Sequence, residues 1–200
     1  MSGKLAFQLV GVQGARARKI HLGGRLVASA IHKTALTGPA PVGPLGLVDD
    51  EQADLSVHGG LSKAVYAFPA AHYPFWRDAR VQAGVAGLEG QDDALAYGSL
   101  GENLTLSGLV EAGVWIGDVL QFPGCALRVT DPREPCSKFN AAMGFSGASK
   151  LMAQTGYCGF YLAVDTPGSV QVGQTGELIA GPRQMGIPER FKARMFKHLR

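Results

Sequence analysis

The chain has 200 residues, 46% of them hydrophobic, and a formal net charge of +3, which fits one globular domain with a single sizeable core. No apolar run reaches the roughly 18 residues of a membrane-spanning helix, and the N-terminus lacks the apolar stretch of a secretion signal. Residues 188–200 carry five Lys or Arg against one Glu, which leaves the other 187 residues at −1, so the basic balance gives no reason to expect a specific nucleic-acid binder. The three cysteines, Cys125, Cys136 and Cys158, are odd in number and contain no Cys-x-x-Cys pair. That pattern suits reduced thiols in the cytoplasm.

In chain order, Leu5–Val12 is apolar with one Gln and predicts a strand. Gln13–Gly24 sets Arg16, Arg18 and Lys19 among glycines, as an exposed loop or hairpin would. Arg25–Lys33 predicts a second strand ending in His32 and Lys33. Thr37–Gly46 holds three prolines and three glycines and is expected to be extended and irregular. Leu47–Leu55 carries Asp49, Asp50, Glu51 and Asp54. In Val57-His58-Gly59-Gly60-Leu61-Ser62-Lys63, paired glycines let a ligand approach the main chain, with His58 and Lys63 on either side. Ala64–Phe68 predicts a strand, and Pro69 suits the first position of a helix through Val81, with His72, Tyr73 and Trp76 as a packing stripe. Ala83–Gly98 is a glycine-rich, acidic loop. Gly101-Glu102-Asn103 then puts an acid and an amide at the entrance of another strand.

Val114–Ile116 and Val119–Phe122 flank Gly117-Asp118, a hairpin signal, and Gly124–Thr130 predicts the next strand. Ser137–Thr155 is the best helix candidate, with a break near Phe145–Gly147 and Gly156 as terminator. Phe160–Val164 and Glu177–Ala180 predict late strands joined by a Pro-Gly turn. Pro188–Arg200 predicts a short basic amphipathic helix on Phe191, Met195 and Leu199. Many short strands with few helices and Gly/Pro-rich connections predict a mainly β, single-domain barrel with a few peripheral helices, divided as residues 1–187 for the barrel and 188–200 for the helix.

The chemistry concentrates in Asp131-Pro132-Arg133-Glu134-Pro135-Cys136-Ser137-Lys138-Phe139. Two prolines stiffen the segment, and cations on both sides of Cys136 favour the thiolate, the form that attacks and that binds metal. Structural zinc is disfavoured by the cysteine spacing, and neither a phosphate-binding Gly-rich loop with Lys-Ser/Thr nor a nucleophile elbow is present. Lys33, His58, Lys63, Asn103, Arg133 and Lys138 fall at predicted strand ends. Gathered on one barrel rim, they would make an anion pocket beside a thiolate, with arginine gripping phosphate in a planar fork.

These stretches resemble the MOSC family, named for the C-terminal domain of molybdenum cofactor sulfurase, in its small stand-alone bacterial branch, the YiiM-like proteins. The resemblance rests on Ser29–Lys33, Gly46-Leu47 with Asp50–Asp54, Val57–Gly60 with Lys63-Ala64, and Tyr66, His72-Tyr73 and Trp76. It continues through Gly101–Leu104, Gly108-Leu109 with Glu111, Gly117-Asp118, and Pro132-Arg133 with Pro135-Cys136 and Lys138. It implies a β-barrel that binds the molybdenum–pterin cofactor, with Cys136 ligating the metal. His58 would line the site, and Lys33, Lys63 and Arg133 would hold the pterin phosphate and pocket, with Asn103 and Lys138 beside them; as a group able to titrate near neutral pH, His58, or else a bound water, would deliver a proton as a second catalytic participant. It further implies reduction of N-hydroxylated compounds such as hydroxylaminopurine, with electrons from a separate reductase. A sulfur or cofactor carrier using a Cys136 persulfide or thiolate is the alternative, and a homodimer is left open. The chain departs from the pattern at Asp49-Asp50, where close relatives often have Gly-Asp.

Overall fold

The computed structural model describes residues 5–53, 59–85 and 95–196. Thirteen strands and four α-helices follow one another along them. Strand β1 (Leu5–Gly14) leads to the hairpin β2 (Arg18–Leu22) and β3 (Arg25–Ser29). Three short strands come next, β4 (Thr34–Ala35), β5 (Ala40–Gly43) and β6 (Gly46–Leu47), then β7 (Val65–Pro69) and helix α1 (Tyr73–Gln82). Strands β8 (Leu104–Ser107), β9 (Val119–Phe122) and β10 (Cys125–Pro132) precede helices α2 (Ser137–Met143) and α3 (Ala148–Thr155). Strands β11 (Phe160–Thr166), β12 (Gly168–Val170) and β13 (Thr175–Ile179) and helix α4 (Ile187–Met195) complete the order.

Seven strands close into a barrel in the order β13-β9-β10-β11-β7-β8-β1, sealed by the pairing of β13 with β1. Every neighbouring pair is antiparallel except β7–β8. Closure leaves this sheet no free edge, the usual hazard of a sheet with many strands. Inward-pointing Phe7, Leu9, Leu104, Leu106, Leu120, Phe122, Leu127, Val129, Phe160, Leu162 and Leu178 fill the interior. A second apolar cluster lies outside the wall, where Tyr66 and Phe68 meet Trp76, Phe139, Met143, Met152 and Phe191 from the helices. Strand β7 is therefore buried on both faces: Val65 and Ala67 belong to the interior, Tyr66 and Phe68 to the helix layer. That double burial accounts for its unbroken apolar run.

The structure revises several sequence expectations. The strand expected over 25–33 ends at Ser29, and its partner is Arg18–Leu22, inside the segment read as loop or hairpin. Thr37–Gly46 contains β5, which pairs with β6 and β12 in a small separate sheet. No hairpin forms at Gly117-Asp118. The turn between β9 and β10 is Pro123-Gly124, with Phe122 opposite Cys125. Asp118, fully buried, instead accepts the backbone N–H of Trp115 (3.1 Å) and of Gly181 (2.8 Å), fastening the segment before β9 to that after β13. The 137–155 helix is two helices separated by Gly144, whose φ of 79° ends α2 in the left-handed region. The late strands number three, with Pro167-Gly168 leading into β12. Most of the 83–98 loop lies outside the described residues.

Helix α4 docks on the body. Phe191 is buried in the outer cluster, and Arg190 and Arg194 pair with Asp131 while Arg194 also reaches Glu134 (2.8 Å). Two of the helix's cations thus grip the end of β10, from which the segment bearing Cys136 departs.

Candidate functional site

A cavity of about 110 Å³ opens where β7, β10 and β11 meet the segments before β4, after β6 and before β8. Lys33, Lys63, Asn103, Arg133, Cys136 and Lys138 all line it, with Asp50, Gln52, Tyr66, Gly101 and Tyr161. Residues as far apart in the chain as Lys33 and Tyr161 are brought together because the barrel ends its strands at a common rim. His58 lies outside the described residues.

The wall that carries Cys136 is built by β10 and the two helices after it. Cys136 has extended geometry before α2, and its carbonyl accepts from the Phe139 N–H (3.0 Å) and the Ser149 hydroxyl (2.8 Å). Both helices thereby fix the residue's main chain. The thiol is half-buried, whereas Cys125 and Cys158 are buried among apolar groups. Burial pushes the Cys125 thiol up to about 11 and Cys158 well above the usual range. Those two stay protonated and away from the cavity, leaving Cys136 as its sulfur.

Arg133 is the most unusual group. It is 4% exposed, and its guanidinium lies between the rings of Tyr66 (5.1 Å) and Phe139 (4.7 Å). Among the described residues it forms no ion pair; its side-chain partners include the Met152 sulfur at 3.9 Å and the Tyr66 and Tyr161 hydroxyls. Burial opposes the charge, but Tyr66, Tyr161 and Cys136 together hold the guanidinium above its ordinary range. The rings hold the cation with no carboxylate on it among the described residues, so this one is poised for an anion entering the cavity.

The other cations differ in their commitments. Lys33 is paired with Asp50, both side chains less than a tenth exposed. Asp50 also accepts from the Ala15 N–H (2.9 Å) and the Asn103 amide (2.8 Å). Asn103 spends its amide on the protein: its oxygen accepts the Tyr66 N–H (3.0 Å) and its nitrogen also donates to the Gln13 carbonyl (3.2 Å). It therefore aligns β7 with Asp50 while facing the cavity. Lys63 stands over the Tyr161 ring at 5.5 Å, and Lys138 donates to the Ala28 carbonyl at 3.1 Å, reaching the β2–β3 hairpin. Gly101, at φ 88°, allows Ile31 to approach so closely that a Cβ would sit 2.9 Å from its side chain.

Sequence reasoning named the cations and Asn103 as site residues, whereas Asp50 and Tyr66 entered only among the residues that carry the resemblance. Asp50 was one acid among four in its segment, and only its partners 35 and 53 positions away single it out. Tyr66 and Tyr161 read as strand residues, since nothing local reveals that their rings face a cation. Glu102 proves buried rather than exposed to the cavity. Its Oε1 accepts from Tyr73, the Gly98 N–H (2.7 Å) and Thr105 (3.0 Å), while its Oε2 has no partner.

A larger cavity of about 750 Å³ lies between α3 and α4. Its buried polar pair, His72 and Glu111 (2.6 Å), is internally satisfied: Glu111 also accepts the Gly159 N–H at 2.7 Å and His72 stacks on Tyr157 at 3.9 Å. The half-buried thiol and the buried guanidinium belong to the smaller cavity, which makes that one the candidate site.

The MOSC domain model matches residues 54–176. The uncharacterised protein YflK of Bacillus subtilis is 39% identical over 149 residues, covering 74% of this chain and 62% of YflK. The protein YiiM of Escherichia coli is 33% identical over 162 residues, covering 80% of this chain and 68% of YiiM. A protein of Gibberella moniliformis named "Reductase" is 33% identical over 175 residues, which are 87% of this chain but 29% of that one. The chain thus spans about two thirds of its bacterial relatives and under a third of the fungal one. The crystal structure of YiiM from Geobacillus stearothermophilus superimposes with a TM-score of 0.73 at 28% identity, over 96% of this chain and 85% of that one. A closed barrel with this order, the Pro-Arg-x-Pro-Cys segment at its rim and these matches lead to one assignment: the chain belongs to the MOSC domain family and is YiiM-like.

Proposed function

We propose that the protein is a molybdenum-cofactor-binding reductase of N-hydroxylated compounds, hydroxylaminopurine being a representative substrate. The observation that carries this reading is the pairing of the half-buried Cys136 thiol with the buried Arg133 guanidinium in one cavity. The donor set fits a phosphorylated cofactor bearing a soft-ligand metal. A thiolate is a soft ligand, and a guanidinium with no carboxylate partner among the described residues has capacity for phosphate. Family membership and a relative named "Reductase" agree with it.

In this reading Cys136 holds the metal, and Arg133, Lys63 and Lys138 hold the cofactor's anionic part. When bound, the cofactor supplies two-electron redox chemistry that no side chain provides. The chain's own residues do the rest. The Pro132–Pro135 segment and the two hydrogen bonds to the Cys136 carbonyl keep the sulfur in place. Tyr66 and Phe139 keep Arg133 flat against the cavity wall. Asn103 and Asp50 keep Lys33 at the rim. The electron donor is a separate reductase.

The test uses protein made in a host able to synthesise the cofactor. Purified wild-type protein should contain molybdenum and pterin and should reduce hydroxylaminopurine with a chemical electron donor, while Cys136→Ala should lose both metal and turnover. Absence of molybdenum, or full activity in Cys136→Ala, refutes the reading. A gain of one sulfur in intact mass that depends on Cys136, without turnover, would instead mark a sulfur carrier.

A further inference from the structure

We infer that Lys33, held by Asp50, is the acid that gives a proton to the departing hydroxyl oxygen; this rests on the reductase reading. Converting a hydroxylamine to an amine breaks the N–O bond and consumes two electrons and two protons, releasing water. The bound cofactor would supply the electrons, with a separate reductase as their source. One proton joins the oxygen as it leaves and the other joins the nitrogen. Lys33 supplies the first and is recharged from water.

The geometry sets Lys33 apart from its neighbours. Arg133 cannot give up a proton in a protein. Lys63 stands over the Tyr161 ring and Lys138 donates to the Ala28 carbonyl, and both suit binding an anion. Lys33 lines the cavity with a side chain only 7% exposed, and its partner Asp50 is 8% exposed. Asp50 is itself fixed by Ala15 and Asn103, donors from two other segments. The carboxylate therefore keeps its place when the lysine loses its charge, and the amine stays aimed for reprotonation. An ammonium has three N–H groups, so the bond to Asp50 leaves others for substrate.

Burial lowers the affinity of Lys33 for its proton below that of ordinary lysine, with Asp50 and Glu102 opposing. Among the described residues, Glu51, Lys63, Arg133 and Lys138 are the other charged groups that line the cavity. A lysine moved toward neutrality is a better acid, the usual reason for burying one in a site.

Two measurements decide the matter. The first needs no turnover: competitive acetylation of wild-type protein across a pH series, read by mass spectrometry after digestion, gives each lysine's titration. Lys33 should titrate below the exposed lysines, and further down still in Asp50→Asn. A Lys33 that titrates with the exposed lysines overturns the inference alone. The second compares loaded Lys33→Arg with wild type. Arginine keeps the charge but cannot donate, so kcat should fall about 10²-fold, within the range for general acid catalysis, with molybdenum content and melting temperature unchanged. Unchanged kcat, or lost molybdenum, overturns the donor role and leaves the reductase reading intact. No turnover by loaded wild type overturns both.

Discussion

Replacing Arg133 by methionine should stabilise the cofactor-free protein while abolishing its response to anions. Methionine is close in length and fills the same slot between Tyr66 and Phe139. The change removes two cation–aromatic contacts, at 5.1 and 4.7 Å, worth about 2 kcal/mol each when desolvated. It also removes the penalty of burying a cation without a carboxylate, which is several kcal/mol. The difference favours methionine by about 1–2 kcal/mol, and at 2–4 °C per kcal/mol for a chain this size the melting temperature should rise by about 2–8 °C. Calorimetry of both proteins in increasing inorganic phosphate completes the assay. Binding to the folded state raises the melting temperature by mass action, so wild type should gain with phosphate and Arg133→Met should not. A variant that melts several degrees lower without phosphate, and still responds to it, would show that Arg133 is a structural cation and that the anion pocket is misassigned.

Two more outcomes follow from the packing. Burial holds the Glu102 carboxyl above its ordinary value of 4.5, against the pull of Tyr73, Gly98 and Thr105. Its contribution to stability is therefore fully present below 4.5 and is lost as pH rises through the folded-state value. Glu102→Gln should compare worst with wild type in acid and improve steadily above pH 4.5 in paired melts; a difference constant with pH refutes this account. Phe191, 2% exposed, anchors α4 in the outer cluster. Phe191→Ala should cost about 3–5 kcal/mol in urea unfolding and quicken the reaction of Cys136 with a thiol reagent, because α4 grips Asp131 at the root of that segment. A cost below 1 kcal/mol would mean that α4 is not an integral support.

The strands that form the barrel wall announced themselves because their side chains alternate or run apolar within a few residues. Leu5–Val12, Ala64–Phe68 and Gly124–Thr130 all fall on observed strands. What escaped reading was decided by partners. Arg18–Leu22 is a strand only because Arg25–Ser29 pairs with it. The sequence Gly117-Asp118 has hairpin chemistry, yet its carboxylate is taken by Trp115 and by Gly181, 63 positions away.

The candidate site divides in the same way. Its chemically active members are legible one at a time, since a thiol between prolines and cations, or a Gly-Gly pair beside a lysine, carries its chemistry in its own covalent structure. Their convergence requires the closed barrel, which ends β7, β10 and β11 at one rim. The tertiary structure also distinguishes cations that look alike in the chain: Lys33 is paired with Asp50, Lys138 is turned to the Ala28 carbonyl, and Arg133 is buried between two rings. Burial and distant charges set a group's electrostatics, and neither is a property of its immediate neighbours in sequence.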